Sequence, residues 1–591
     1  MAIFVNSDKC HILLVTLERG LTMILHPTAD KLTNEILEEA AKYRVKNNVE
    51  PLDLLGYKKF LETGERLTFE QQYFARRKQL DILALDIFIR KSTESIPLLE
   101  EVIFQICNEY SWALPAHMPI RDRCYSEEGR EIIDLFAAET AQSLAEIGEI
   151  IGDQLSNFIK QRISEEIDRR VFTPFEKQDW HWERLENNWS SVIAGSIGLA
   201  ALSALPLRSK RQRQILNRLE SSFAYYLKSF AEDGVCAEGV GYWAYGFGYY
   251  CYFAEKYTHL YGDDRYINYP KVKNIAEFPF YAMISKDHYL PYSDSSNQLA
   301  LPSGLLSYCE RTFRVAIPPV AEPSSLYDDH CYRWAPLFRN LIWTRETNSN
   351  EMVSCKHYFP DAQWAVIRNV EKQFIFSAKG GTNRESHNHN DIGHFIIGDH
   401  HELFLTDLGA GEYTRDYFSN KRYTFLPNRA LGHSIPFIQG TEQKEGDFRA
   451  RNTQFHIQNE QISEFSFELA ETYPEVVGLE SFKRQWLVND EAKHIILEDT
   501  IQFTRDEQAT VIENFVSLLK PSIQDNQIVW QGKYNKLILE FDQNMDTPKL
   551  NEETYSDHHG VQTNVYLTQL ENKQKSKLYT RRYTFRLKKL R

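Results

Sequence analysis

The sequence has no surplus of positive charge, no long apolar run and no paired-cysteine motif. Its 591 residues include 68 Lys and Arg against 82 Asp and Glu, a net charge of −14. Nucleic-acid binders normally carry a basic surplus, so that class of protein is disfavoured. A local basic cleft for an acidic substrate stays compatible with this total. No apolar run approaches the roughly 20 residues that span a bilayer, so we expect no membrane partner.

The eight cysteines form no CxxC pair and no dense framework. This usage is typical of reduced, mostly buried thiols. The apolar segment 11–17 is short, and no small-residue cleavage site follows it. We therefore expect a cytoplasmic protein.

What the sequence does contain is an ordinary globular composition, with 42% hydrophobic and 25% charged residues. In the first half, apolar residues recur every three or four positions, which predicts helices. The run from Leu144 to Ile167 predicts one face of a single helix. Further helices are predicted around residues 32–43, 69–89, 96–107, 192–205 and 215–230.

The pattern changes after about residue 315. Pro318, Pro319 and Pro323 exclude a helix interior and predict a linker. Beyond them, alternating segments with turn residues predict strands at 394–407, 484–503 and 577–587. Helices followed by strands predict an α+β multidomain protein with a helical domain over 1–320 and an antiparallel β domain over 321–591.

The densest polar cluster lies in the second half, around His387 and His389. In an extended segment these two side chains share a face. Asp407 ends a short apolar strand pattern, and His433 follows 26 residues later. Imidazoles and carboxylates are typical zinc ligands, so His389, Asp407 and His433 are a candidate metal set that leaves His387 for catalysis. A hydrogen-bonded histidine cluster without metal fits the spacing equally well.

Two segments of the helical half are also candidates for function. Residues 233–246 form a glycine-punctuated loop with tyrosines that can stack on sugars or carry protons, although aromatic packing is the simpler interpretation. Asn187 and Asn188 precede an apolar helix, and capping is the simplest role for either side chain.

Together these segments resemble the heparinase II/III-like polysaccharide lyases. The resemblance is carried by His387-Asn388-His389-Asn390-Asp391-Ile392-Gly393, Asp407-Leu408-Gly409, Arg422-Tyr423 and Gly432-His433-Ser434, and in the helical half by Asn187-Asn188-Trp189 and Glu238-Gly239-Val240-Gly241-Tyr242-Trp243.

The resemblance implies an incomplete (α/α) toroid followed by an antiparallel β-sandwich. It implies β-elimination at a uronic acid, with unsaturated uronate products. It also assigns zinc, in a structural role, to His389, Asp407 and His433. The catalytic residues that it implies are Asn188, Tyr242, His387 and Tyr423, and the substrate-binding residues are Trp189, Glu238, Tyr245, Tyr417 and Arg429.

One departure concerns Trp189, because several members of the family have a histidine directly after the asparagine. The expected substrate is a glycosaminoglycan-like polysaccharide or oligosaccharide, and Tyr242 and His387 are expected to meet in one crevice. A glycoside hydrolase that uses Glu238 and Asp233 is an alternative. A non-catalytic carbohydrate-binding protein is another.

Overall fold

The computed structural model describes residues 29–320, 324–345, 351–458, 461–504, 510–572 and 576–590, with the backbone of three strands within residues 2–25. Residues 321–323 of the proline-rich linker lie outside the described residues. Within the described ranges, no helix combines the length and the hydropathy needed to cross a membrane.

The chain divides into two compact units. The first comprises residues 1–230, 242–276 and 300–350, and the second comprises residues 231–241, 277–299 and 351–591. The second unit thus includes two segments that precede the predicted linker. The sequence-contiguous division at residue 320 stays a prediction.

The first unit consists mainly of helices, and the helices predicted around 32–43, 69–89, 96–107, 192–205 and 215–230 are confirmed. Two helices, at Val240–Tyr242 and at Val272–Ala282, contain residues of both units. The helices are α1 (Asp30–Lys46), α2 (Leu54–Thr63), α3 (Leu67–Arg90), α4 (Ile96–Cys107), α5 (Leu135–Ile151), α6 (Asn157–Ile167), α7 (Thr173–Lys177), α8 (Asn188–Ala204), α9 (Lys210–Lys228), α10 (Val240–Tyr242), α11 (Gly248–Tyr261), α12 (Val272–Ala282), α13 (Ser303–Phe313) and α14 (Trp334–Trp343). Short strands accompany them: β1 (Ala2–Ser7), β2 (Cys10–Thr16), β3 (Thr22–Leu25), β4 (Ile120–Arg121) and β5 (Cys124–Tyr125).

The prediction of one helix from Leu144 to Ile167 is wrong. The helix is interrupted between α5 and α6. Ser156 caps the second helix by accepting a hydrogen bond from the backbone N–H of Ile159 at 3.4 Å. A serine N-cap stabilises a new helix start, which apolar spacing alone does not register. Phe158, which the pattern placed on the buried face, is 58% exposed.

The second unit is built from antiparallel sheets, and the strands predicted at 394–407, 484–503 and 577–587 are confirmed. The strands are β6 (Met283–Ser285), β7 (His288–Tyr289), β8 (Cys355–Phe359), β9 (Trp364–Asn369), β10 (Phe374–Lys379), β11 (Phe395–Gly398), β12 (Leu403–Leu405), β13 (Phe437–Ile438), β14 (Arg451–Gln458), β15 (Ile462–Glu468), β16 (Leu479–Asn489), β17 (His494–Phe503), β18 (Val511–Ser517), β19 (Pro521–Gln524), β20 (Gln527–Gln531), β21 (Asn535–Glu540), β22 (Asp546–Ser556), β23 (Gln562–Asn572) and β24 (Leu578–Lys589). The sheets have the orders β12-β11-β10-β9-β8, β13-β18-β23-β22 and β14-β15-β16-β17-β24-β21-β20-β19, with a small β6-β7 pair.

One apolar core joins these sheets. Phe395 of β11 packs against Trp486 of β16, Phe515 of β18 and Phe585 of β24, with ring centroids 5.7, 6.3 and 5.9 Å away. Alternate residues of β16 and β17 are buried, as one-sided packing of a sheet requires. The core therefore gives the loops at the strand ends a rigid support.

Two of these loops carry the predicted site, and Arg484 of β16 fastens both. Its guanidinium donates to the carbonyl oxygens of Gly393 and Ser434, each at 3.0 Å. It is itself ion-paired with Asp499 and Glu513, and all three side chains are fully buried. A planar, always-charged guanidinium can hold several acceptors at once, so the loop after β10 and the loop before β13 are fixed to one sheet.

Candidate active site and metal centre

His387 and His389 lie in the connection between β10 and β11. The predicted extended segment is wrong here, because His387 sits in a turn with a left-handed φ of 55°. Such a backbone is uncommon for a residue with a side chain and tends to persist at functional sites. The two rings still converge, since both donate a hydrogen bond to the carboxylate of Asp294.

Asp294, which sequence reasoning missed, accepts hydrogen bonds from four side chains. Oδ2 accepts from Nδ1 of His387 at 2.7 Å and from Arg422 at 3.0 Å. Oδ1 accepts from Nε2 of His389 at 3.1 Å and from the hydroxyl of Tyr417 at 2.6 Å. Burial opposes the charge, but the bonds from the two histidines hold the pKa of Asp294 well below its usual range. Asp294 is therefore a fixed negative charge beneath both rings.

The bond to Asp294 determines which nitrogen of His387 is turned outward. Since Nδ1 donates to the carboxylate, Nε2 lies on the other side of the ring, 3.9 Å from Oε2 of Glu238. The His387 side chain keeps 14% of its surface exposed. A neutral imidazole in this tautomer presents an Nε2 lone pair, which is the form that can accept a proton.

A buried cluster of His389, Asp391, Asp407 and His433 offers four ligand atoms within 4.8 Å of one another. Nδ1 of His433 lies 3.3 Å from Oδ2 of Asp407, and Nδ1 of His389 lies 3.8 Å from Oδ1 of the same carboxylate. Neighbouring ligands of a tetrahedral ion with bonds of about 2.0–2.1 Å are about 3.3 Å apart. The spacing fits a divalent metal.

The hydrogen bonds around the cluster also fit a metal. Nδ1 of His389, Nδ1 of His433 and Oδ2 of Asp407 are buried and make no hydrogen bond to any described residue. The opposite nitrogens are engaged, because Nε2 of His389 donates to Asp294 and Nε2 of His433 donates to the Pro427 carbonyl at 2.9 Å. Outer bonds of this kind hold a histidine in the tautomer that ligates metal. The predicted ligand set can therefore hold an ion.

Asp391 adds a carboxylate that the sequence prediction did not assign. Its Oδ2 pairs with Nζ of Lys379 at 2.6 Å, and both side chains are buried. Its Oδ1 makes no hydrogen bond to a described residue. Lys379 thus offsets the charge of one of the two carboxylates, which lowers the net negative charge that a cation meets here.

The same proximity perturbs the titration of Asp407 and His433. Burial opposes ionisation of both groups, but their mutual attraction holds the pKa of Asp407 below its usual range and raises the pKa of His433. A cation held by this cluster would require a neutral His433, since a ligating histidine must be deprotonated. His394 is not a ligand: its Nδ1 accepts from the Ser434 N–H at 2.8 Å, so a proton occupies Nε2, 3.7 Å from Asp407.

Of the other residues predicted in this unit, Tyr423 and Arg429 are partly exposed and Tyr417 is not. The hydroxyl of Tyr423 accepts from the Asn388 amide at 3.1 Å. Arg429 forms a close ion pair with Glu442. Tyr417 has none of its surface exposed, and its hydroxyl is bound to Asp294. Tyr417 therefore supports the carboxylate beneath the two histidines, and its contact with substrate stays a prediction.

In the helical unit, the structure separates the two asparagines at the start of α8. Asn187 is the cap, since its side chain accepts from the Trp189 N–H at 3.0 Å. Asn188 is the first residue of the helix and is buried, so capping does not account for its side chain. The ring of Trp189 packs against His117 and His181, at centroid distances of 5.0 and 6.1 Å.

The structure also distinguishes the two candidate tyrosines. The hydroxyl of Tyr245 donates to Oε1 of Glu139 at 2.8 Å, and Arg333 lies over its ring at 4.3 Å. Burial raises the pKa of Tyr245 well above its usual value, which opposes a role as a base. Tyr242 ends α10 with its side chain partly exposed. Tyr242 and His387 belong to different units, so their meeting in one crevice stays a prediction.

The carboxylates of the alternative hydrolase differ in what they contact. Asp233 caps the turn before β9: its Oδ2 accepts hydrogen bonds from the backbone N–H groups of Asp361 and Ala362, each at 2.9 Å. Glu238 lies near His387. Two carboxylates that flank a scissile bond are the requirement for glycoside hydrolysis, and Asp233 is already used as a turn cap.

The sequence did not reveal the roles of three residues: Asp294, its partner Arg422, and Asp391. Asp294 lies in Ser293-Asp294-Ser295, a polar turn 93 residues before His387, and no local pattern marks it. Arg422 and Asp391 lie inside the recognised motifs. The catalytic and substrate-binding roles of the predicted residues stay predictions.

Neither a family model nor a curated protein matches the sequence. Among solved structures, the heparan sulfate lyase HepC from Pedobacter heparinus is similar, with 13% identity, a TM-score of 0.60, and 94% of this chain and 88% of that chain covered. A chondroitin AC lyase from Streptomyces coelicolor A3 has 10% identity and a TM-score of 0.53, with 95% and 79% covered. A Paenibacillus xanthan lyase has 12% identity and a TM-score of 0.54, with 95% and 57% covered. The chain therefore has the toroid and β-sandwich fold of the heparinase-like polysaccharide lyases.

Proposed function

We propose that this protein is a lyase that cleaves uronate-containing glycans by β-elimination. The observation that carries the proposal is His387, whose Nδ1 is held by a buried carboxylate so that Nε2 is turned outward, beside a buried metal-type cluster. A fold shared with several polysaccharide lyases supports the same class of reaction. Fold alone does not define chemistry, so the argument is carried by the residues.

The reaction requires removal of the C5 proton of a uronic acid, followed by departure of the group at C4. The neighbouring carboxylate makes this proton weakly acidic, because it resists further negative charge. A donor aimed at that carboxylate stabilises the enolate-like transition state, and one such donor typically contributes about 3–4 kcal/mol. We assign this role to the amide N–H groups of Asn188, whose helix is capped by Asn187 instead.

His387 and Tyr242 are the proposed proton carriers. Nε2 of His387 is suited to accept the C5 proton, since Asp294 stabilises the imidazolium that forms. Tyr242 then protonates the departing oxygen if the proton and the leaving group lie on opposite faces of the sugar. If they lie on one face, Tyr242 serves as base and then as acid. Tyr423 adds a hydroxyl that accepts from the amide of Asn388, the residue after His387.

We propose zinc as the ion of the buried cluster, held by His389, Asp407 and His433 with Asp391 beside them. When bound, it supplies structural cross-linking of the two site loops and a positive charge. The proposed substrates are glycosaminoglycan-like polysaccharides or their oligosaccharides, since acidic chains supply the uronate that the mechanism needs.

A panel of uronate polymers tests the proposal. Wild-type protein is expected to raise the ultraviolet absorbance of at least one polymer, because elimination creates a conjugated double bond. His387→Ala is expected to lower this rate by at least 10²-fold, the scale of losing a general base. His401→Ala, a histidine on the β11–β12 turn, is the matched control and should keep the wild-type rate. Absence of an absorbance rise on every uronate polymer would contradict the proposal.

A further inference from the structure

Asp294 is placed to control two histidines with different predicted tasks. Its side chain is fully buried, and each of its oxygens accepts from one imidazole and one further donor. The carboxylate reaches opposite nitrogens of the two rings: Nδ1 of His387 and Nε2 of His389. A carboxylate is an acceptor only, so each contacted nitrogen must carry a proton.

The consequence is a pair of opposite tautomers. His387 is held with its proton on Nδ1 and a lone pair on Nε2. His389 is held with its proton on Nε2 and a lone pair on Nδ1, the atom that lies 3.8 Å from Asp407 in the metal-type cluster. A free neutral imidazole exchanges between both forms, and the hydrogen bond to Asp294 favours one of them in each ring.

We propose that Asp294 is a positioning residue that fixes His387 and His389 in opposite tautomers, one for proton acceptance and one for metal ligation. This inference rests on the proposed roles of the two histidines. It makes Asp294 the link between the reacting side of the site and the metal side, so that one buried carboxylate serves both.

The two oxygens of Asp294 are not equivalent, and this makes a selective variant possible. Oδ2 faces His387 and Arg422, and a guanidinium cannot accept a hydrogen bond. In Asp294→Asn an amide NH2 at the Oδ2 position would face the guanidinium of Arg422, so we expect the NH2 to turn toward His389 and Tyr417. The Tyr417 hydroxyl, which accepts from the Asn428 amide at 2.9 Å and from the Gly411 N–H at 3.3 Å, must then give up one of these bonds to accept from the new NH2. The oxygen of the amide then continues to accept from His387.

Asp294→Asn is thus expected to change the tautomer of His389 and to leave the tautomer of His387 unchanged. His387 keeps its Nδ1 proton. His389 must now accept from the amide at Nε2, which moves its proton to Nδ1 and removes the metal lone pair. Loss of an outer-shell partner typically lowers metal affinity 10–100-fold. Asp294→Ala removes both acceptors, so both histidines should lose their fixed tautomer.

The experiment is nitrogen NMR of protein labelled at its histidine rings, at about pH 9 where imidazoles are neutral. Signals are assigned by His387→Gln and His389→Gln. Wild-type protein is expected to show the two opposite tautomers, and this first result does not depend on any variant of Asp294. Zn2+ affinity is measured in parallel by competition with a chelating dye. Asp399→Asn, at another buried aspartate, is the control and should leave both tautomers and the zinc affinity unchanged.

Two results would overturn the proposal. One is a wild-type His387 protonated on Nε2, or a wild-type His389 protonated on Nδ1. The other is an Asp294→Asn protein in which both histidines change equally, or in which His389 and zinc affinity are unchanged. Because these readouts need no turnover, they are distinguishable from a failure of the proposed lyase activity, which the polymer panel reports.

Discussion

At the scale of single residues, the site depends on hydrogen bonds between buried polar side chains that are far apart in the sequence. Sequence reasoning found His387, His389, Asp407 and His433, because their types and motif mark them. It did not find Asp294, since a lone aspartate in a serine-rich turn is indistinguishable from a surface turn until the fold brings it under the histidines. Long-range hydrogen bonds of this kind have no local signal.

The two tyrosines give the first prediction at this scale. Tyr245→Phe is expected to lower stability, because Glu139 loses a donor in the interior, by about 1–3 kcal/mol. Tyr242→Phe is expected to lower the rate of glycan cleavage by at least 10²-fold with little change in unfolding temperature. Thermal unfolding and cleavage rates of both variants check this. A Tyr245→Phe protein that is stable but inactive would reverse the assignment.

Glu146 gives a prediction about pH. Burial opposes its charge, but Arg339, which donates to both carboxylate oxygens at 2.7 Å, and Lys256 lower the pKa of Glu146 to about 2. A depressed pKa contributes stability that is present above the unfolded value near 4.5 and is lost as the pH falls toward 2. The stability gap between wild type and Glu146→Gln should shrink across this window by on the order of 3 kcal/mol.

Urea denaturation at a series of pH values measures that gap. Glu165→Gln, at an exposed position of α6, is the control and should change stability by less than about 1 kcal/mol at every pH. A gap between wild type and Glu146→Gln that stays constant from pH 5 to about 2 would show that the buried pair does not lower the pKa.

At the scale of elements, hydrophobic spacing predicted which segments are helices and strands but not where a helix is interrupted. The apolar residues from Leu144 to Ile167 keep a helical spacing across the interruption at Ser156. This spacing indicates which residues are buried, but it does not indicate that Ser156 caps a new helix. The loops that carry the site are held by side-chain bonds to backbone, chiefly from Arg484. Such fastening depends on tertiary packing and has no sequence period.

Arg484→Met tests this fastening. Removing the guanidinium leaves Asp499 and Glu513 buried without their partner and frees two loop carbonyls, so a loss of about 3–5 kcal/mol is expected. Zn2+ affinity should fall as well, because both site loops lose a common support. Arg586→Met, at a half-exposed pair 3.7 Å from Glu540, is the control and should change stability by less than about 1 kcal/mol. Equal losses in the two variants would contradict the role of Arg484.

At the scale of the whole molecule, composition and element order predicted an α+β protein, and the resemblance supplied the toroid and β-sandwich. The fold is confirmed. The two compact units are not separated at a single point in the sequence, because residues 231–241 and 277–299 belong to the second unit. Asp294 and Glu238 lie in those two segments, which explains why a sequence boundary near residue 320 did not group them with the histidine loop.

Metal binding gives a prediction at this scale. Free energy of metal binding adds to folding free energy, by about 2.7 kcal/mol when the ion is at 100 times its dissociation constant. Adding Zn2+ to chelator-treated wild-type protein is expected to raise its unfolding temperature, and His389→Ala and Asp407→Ala should show no such rise. His401→Ala should respond like wild type. A rise that persists in His389→Ala would show that the ligands are misassigned.

The central claim is that the glycan bond breaks by elimination with His387 as a proton carrier. The most direct measurement is the mass of the products formed by wild-type protein and by His387→Ala. Elimination adds no water, so we predict wild-type products whose masses sum to that of the substrate, formed at least 10²-fold more slowly by His387→Ala. Products whose masses sum to that of the substrate plus one water would identify hydrolysis and contradict the account.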